Sequence, residues 1–192
     1  SNVDSLNEGI MTNTCSDFLM HHKQCRLHVT TLRSDAAYAA AENHEIDLGL
    51  IMNPRFSRMI RTVPLFEENL SFVCGMSSDY RRPLSSSDLD AADEVYIPWG
   101  NTFLRWHDYW FGPAADTRIS MDHMALLEKI LCLDRAWAIV PATVAAKLVK
   151  TGNVKRVPLK DGPDPRICYG ISKENESERP QIAAFMKEFI RQ

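Results

Sequence analysis

The 192-residue chain lacks an excess of positive charge: 22 lysines and arginines face 25 aspartates and glutamates, for a formal net charge of −3. A chain whose main task is to grip a phosphate backbone is usually clearly basic, so this stretch alone is a poor nucleic-acid binder. No apolar run reaches the length that spans a bilayer, so no membrane partner is expected. The polar, acidic start Ser1-Asn2-Val3-Asp4 carries no signal peptide. The five cysteines, at 15, 25, 74, 132 and 168, are odd in number and form no CxxC. Free, mostly buried thiols in a reducing cytoplasm fit them better than a disulfide framework. There is no G-x-S-x-G elbow, no P-loop and no G-x-G-x-x-G, which removes the commonest hydrolase, nucleotide and dinucleotide signatures.

The remaining chemistry-bearing residues do not assemble either. His21, His22, Cys25 and His28 crowd eight residues without a zinc spacing and read as a solvated helix end. Glu67-Glu68 reads as a solvated pair on a short loop, and His107-Asp108 as neighbours that rarely orient one another. No catalytic residue, metal or cofactor is therefore expected, and the chain is not read as an enzyme.

What is present is an ordinary globular composition, 45% hydrophobic and 24% charged. The length suits one large domain or two small lobes. Ser5-Leu6-Asn7-Glu8 is a capping box that starts a helix. Cys25–Thr31 alternates and predicts a strand, Ser34 caps an alanine-rich helix, and Ile46–Met52 is a nearly continuous apolar strand. Together they predict a parallel βαβ unit. Further strands are predicted at Val63–Leu65, Leu70–Met76, Glu94–Ile97, Arg118–Ser120, Ala136–Val140, Val154–Leu159 and Ile167–Ser172. Asp122 caps a helix to Leu133 whose stripe is Met124, Leu127 and Leu131; others cover Thr143–Lys150 and Pro180–Arg191. Alternating strands and helices make the class α/β. Lys160–Pro165 is the most linker-like stretch.

Anion or polar-ligand binding has the better support. Ser5, Ser34 and Asn101-Thr102 stand where strands give way to helices, whose first amides are unpaired and partly positive. Open α/β sheets bind ligands outside the carboxyl ends of their strands. In the aromatic stretch Ile97–Pro113, Phe103, Trp106 and Trp110 fall at i, i+3, i+7 and read as core. Trp99 precedes Gly100 in the turn, off that stripe, and is the candidate pocket wall.

These ordered cues resemble the effector-binding domain of LysR-type transcriptional regulators. The likeness is carried by Ser5 at a helix start, by "EIDLGLI" (45–51), by "PLFEENLSFVCGMSSDYRRPLSSSDL" (64–89) and by "LCLDRAWAIVPATVAAKLVKTGNVKRV" (131–157). The chain departs from the family at Asp134, Ala136 and Trp137, where glycines and a small aliphatic are usual. Asp134 is expected to hold the left-handed turn there. The family domain also opens with a strand just before the Ser5 position, here expected to be short or cut away.

The resemblance implies two Rossmann-like lobes joined by two crossing strands, as in type 2 periplasmic binding proteins. Lobe one would be 1–67 plus 160–192, and lobe two 68–159. A small, anionic effector would sit in the interlobe cleft against Ser5, Ser34, Asn53, Trp99, Gly100, Asn101, Thr102, Phe103 and His123. The resemblance further implies a cytoplasmic homodimer, side by side and antiparallel, pairing the helix after Ser5 with the helix after Asp122. A higher oligomer would form at full length. DNA would be reached only through an N-terminal winged helix-turn-helix that this fragment lacks. The alternative is a solute-binding protein of a transport system, which the five unpaired cysteines disfavour. An upstream helix-turn-helix or a secretory leader in the full reading frame separates the two.

Overall fold

The structure, a computed structural model, describes residues 6, 10–122, 124–174 and 179–190. In chain order it runs α1 (Ile10–His21), α2 (Ser34–Glu42), β1 (Gly49–Ile51), β2 (Ile60–Glu68), β3 (Leu70–Gly75) and β4 (Val95–Tyr96). It continues with α3 (Asn101–Phe111), β5 (Ile119–Ser120), α4 (Leu127–Leu131), β6 (Trp137–Pro141) and α5 (Ala142–Lys150), then β7 (Val154–Arg156), β8 (Arg166–Lys173) and α6 (Pro180–Ile190). Helices and strands are interspersed along the chain, a mixed α/β class. The chain divides into two compact units, residues 1–67 with 167–192, and residues 68–166.

Unit one carries a sheet in the order β1-β8-β2, with β1 antiparallel to β8 and Leu50 opposite Gly170. The alanines of α2 let that helix lie close to the sheet: Ala37, Tyr38 and Ala41 pack with Ile51, Ile60 and Ile171. The Tyr38 hydroxyl donates to the Arg55 carbonyl at 2.9 Å and accepts from the Arg55 amide at 3.0 Å. A buried phenol needs such partners; here they pin the chain just beyond β1. A second cluster joins Leu6, Met11, Leu50, Cys168 and Phe189.

Unit two is organised around β3, which is antiparallel to β6 on one side and β7 on the other. All five side chains of β6 are buried, as its apolar sequence requires. Trp137 stacks on Phe72 with ring centroids 5.7 Å apart and donates its indole N–H to the Asp90 carbonyl at 2.9 Å. Gly75 is needed at the end of β3, because a Cβ there would run into the Leu131 carbonyl. The left-handed residue before β6 is Arg135, at φ 58°, one position after the predicted Asp134.

The sequence-based expectations need correcting in several places. Within Cys25–Thr31 no strand forms, and of these residues only Thr31 joins a bridge. Alternation creates a strand only where a partner supplies hydrogen bonds; none of residues 25–31 is buried. The pairing of β1 is antiparallel, so the predicted parallel βαβ unit is not formed there. A parallel ladder joins β4 and β5, Val95 opposite Ile119. The predicted helix after Asp122 becomes a 3-10 turn, Met124–Leu126, followed by α4, yet its stripe of Met124, Leu127 and Leu131 is buried.

Glu68 is not in a solvated loop. It ends β2 and is buried. The chain leaves unit two at Arg166–Ile167. Residues 159–161 are tied into unit two by the Leu84–Leu159 bridge and by Ser86 and Trp106 side chains donating to the Asp161 carbonyl at 2.8 and 2.6 Å.

Candidate functional site

The predicted Trp99–Phe103 turn lies in unit two, where β4 gives way to α3. Gly100 is the N-cap of α3 at φ 101°, ψ −176°, a backbone combination essentially reserved for glycine. No side chain caps the helix. The amides of its first turn are the groups a helix leaves without intrahelical partners, and they carry its partial positive charge. Asn101 is exposed, Thr102 half-buried and Phe103 buried. The Thr102 hydroxyl accepts from Arg105 at 3.4 Å.

Trp99 is 8% exposed and packs in the core of unit two. Its indole N–H donates to the Ile139 carbonyl on β6 at 2.6 Å. The Arg166 guanidinium lies over its ring, 5.0 Å from the centroid. Arg166 donates in turn to Glu68 Oε2 from Nε at 3.0 Å and from Nη2 at 2.6 Å. Glu68 Oε1 accepts from the Thr143 amide at 3.3 Å and from the Thr143 hydroxyl. The site turn thus rests on a buried polar network that sequence reasoning missed. One signal was available: in β2, Glu68 shares a face with Ile60 and Phe66 by alternation. A carboxylate on an apolar face calls for a buried cationic partner.

A second buried pair holds α3 from below. His107 Nε2 lies 2.7 Å from Glu94 Oε2, with side chains 6% and 1% exposed. Burial pushes the Glu94 carboxyl above the usual carboxylate range, while the hydrogen bond and charge of His107 pull it back. Glu94 Oε1 is buried without a hydrogen-bond partner among the described residues. The core row of α3 is therefore Phe103, His107 and Phe111, flanked by Trp106. Trp110 leaves the predicted stripe and meets Tyr109 edge-on at 5.1 Å.

Ser34 and Asn53 belong to unit one. Ser34 is the first residue of α2 rather than its cap; Arg33 takes the N-cap position and makes no side-chain capping bond. Asp35 occupies the first turn. Asn53 is exposed in the bend that follows β1. Ser5 and His123 lie outside the described residues. Elsewhere in unit one a cavity of about 570 Å³ is lined by Met11, Phe18, Leu27, Ile46, Arg179 and Phe185 among others, and touches none of the described residues among those predicted for the site. Among the described residues no group of His, Cys, Asp and Glu could hold a metal ion, and no helix is long and apolar enough to cross a membrane.

The family model of the LysR substrate binding domain matches residues 3–192. Solved structures share the fold at low sequence identity. The Corynebacterium glutamicum OxyR C206 mutant superposes with a TM-score of 0.81 at 13% identity, covering 99% of this chain and 61% of that one. The chain thus spans about three fifths of that regulator. The BenM effector binding domain with its effector benzoate gives 0.80 at 18% identity, covering 99% and 88%. The Synechocystis PCC6803 CcmR regulatory domain in complex with 2-PG gives 0.78 at 10% identity, covering 99% and 93%. A comparison with curated proteins gives no match.

Proposed function

Because the chain belongs to the LysR substrate-binding domain family, we propose that it is the ligand-sensing part of a transcriptional regulator. It binds a small anionic metabolite, and that binding controls how an N-terminal DNA-binding domain engages DNA. The observation that carries this reading is the family match over residues 3–192. It favours sensing over the transport alternative, and no catalytic step is proposed.

The chemistry of the Trp99–Phe103 turn supports an anion. A helix start without a side-chain cap offers amides and partial positive charge, beside the half-buried hydroxyl of Thr102. Two of the similar structures hold small ligands, benzoate in one and 2-PG in the other. Ser5, Ser34, Asn53 and His123 are the contacts proposed from the rest of the chain. The proposed working form is a cytoplasmic, antiparallel homodimer. For the ligand to signal, it must bind two states of the protein with different affinity.

A thermal-shift screen of small carboxylates and phosphates tests this, because a ligand of the folded state raises its melting point by mass action. Thr102→Val is expected to weaken the best hit by roughly tenfold or more, the worth of a hydrogen bond to a charged group. The melting point of the ligand-free variant is expected to stay within a degree or two of the parent. An unchanged affinity removes the turn from the site.

A further inference from the structure

Glu68 and Arg166 are the first and last residues of unit two, the points at which its chain enters from β2 and leaves into β8. Their side chains are each 5% exposed and joined by two hydrogen bonds to one carboxylate oxygen. A buried ion pair of this kind adds little net stability, because desolvation offsets the attraction. Its partners are more telling than its energy. The second oxygen of Glu68 accepts from the amide and hydroxyl of Thr143, in the first turn of α5, whose N-cap Pro141 has no side chain to offer. The carboxylate therefore satisfies orphan donors at a helix start and meets its positive end. The guanidinium lies over Trp99, a cation on a ring face.

We propose that Glu68 and Arg166 are positioning residues for the ligand-binding turn: the pair, anchored on α5, sets the pose of Trp99 and through it the Gly100–Phe103 backbone. The proposal rests on the reading of that turn as ligand-facing. Trp99 is fixed from two directions, at its edge by Ile139 and on its face by Arg166. The next residue is Gly100, whose φ of 101° opens α3. Rotation of the indole is thus passed directly to the amides of the helix start. Because both crossing strands end on the pair, a change in their geometry reaches the turn through Arg166 and the Trp99 ring it covers. Ligand at the turn must bias the crossings by the same free energy in return.

Fluorine NMR of the fluorotryptophan-labelled chain tests the relay without any ligand. Its four tryptophans give four resonances, and Trp99→Phe identifies one. Glu68→Gln keeps the shape and removes the charge. It is expected to move the Trp99 resonance and leave those of Trp106, Trp110 and Trp137 in place. In an Arg166→Lys background the same change is expected to add no further shift. Thr143→Val, milder still, should move the Trp99 resonance in the same direction. A Trp99 resonance that ignores both Glu68→Gln and Thr143→Val overturns the proposal. So does a common displacement of all four resonances, which would make the pair a general stabiliser. A ligand screen without hits would count against the site while leaving the relay standing, so the two failures are distinct.

Discussion

Replacing His107 by leucine strands a carboxylate in the core of unit two, and the cost should grow with pH. In the parent, Glu94 Oε2 sits 2.7 Å from the imidazole, and the ring's hydrogen bond and charge are what lower its raised pKa. Taking both away lifts the folded-state pKa further above the value of about 4.3 in an unfolded chain. A group whose pKa is raised by folding contributes stability that is fully present below the unfolded value and is lost as pH climbs through the folded value. Each pH unit in that window costs about 1.4 kcal/mol. The total is capped near the roughly 3–5 kcal/mol lost when one member of a buried pair is removed. The three units from pH 5 to 8 allow at most about 4 kcal/mol, so at about 2–4 °C per kcal/mol for a chain of this length the variant should melt up to roughly 16 °C lower at pH 8 than its own pH 5 value predicts from the control. The control is Glu94→Gln/His107→Leu, which has no carboxylate to strand. Tyr96, whose ring lies 4.9 Å from His107, titrates well above this range and is common to both proteins. Differential scanning fluorimetry from pH 5 to 8 reads the effect. Melting curves of the two variants that run parallel across that range would refute a buried, high-pKa Glu94.

Other outcomes follow from packing. Gly75→Ala should cost about 1–3 kcal/mol in urea unfolding, because its new methyl group meets the Leu131 backbone rather than a side chain able to move. Trp137→Ala should cost about 3–5 kcal/mol by the same measurement, since it empties the fully buried place against Phe72. An engineered Arg135→Gly should leave stability within about 1 kcal/mol: relief of a left-handed backbone offsets loss of the exposed ion pair to Asp93.

The strands that anchor unit two were legible because residues 70–75 and 136–140 are nearly continuous apolar runs, buried on both faces. The Met124, Leu127, Leu131 stripe was legible for a related reason: helical spacing selects the buried residues even where the helix is broken into two turns. The inward row of α3 was not. Both Phe103-Trp106-Trp110 and Phe103-His107-Phe111 satisfy helical spacing, and hydropathy prefers the tryptophans. The choice is made by Glu94, a distant carboxylate whose need for a partner draws His107 inside. Glu68 escaped for the same kind of reason, since its partners Arg166 and Thr143 lie far along the chain. The Trp99–Phe103 turn could be picked out because glycine, polar residues and aromatics meet there. That Trp99 faces a cation could not be.

The way the strands are joined also orders events at the ribosome. The central strand of unit two, β3, gains its first partner when residues 137–141 emerge and its second at 154–156. By contrast β1, made early, has to wait for residues 169–171 before its ladder can close. The half of the protein that is begun first is therefore completed last, with the edge of Gly49–Ile51 bare through most of translation, a state in which long-range β pairing invites aggregation. A truncated chain released just past residue 166 should hold a finished second half and an unfinished first one, open to chaperones.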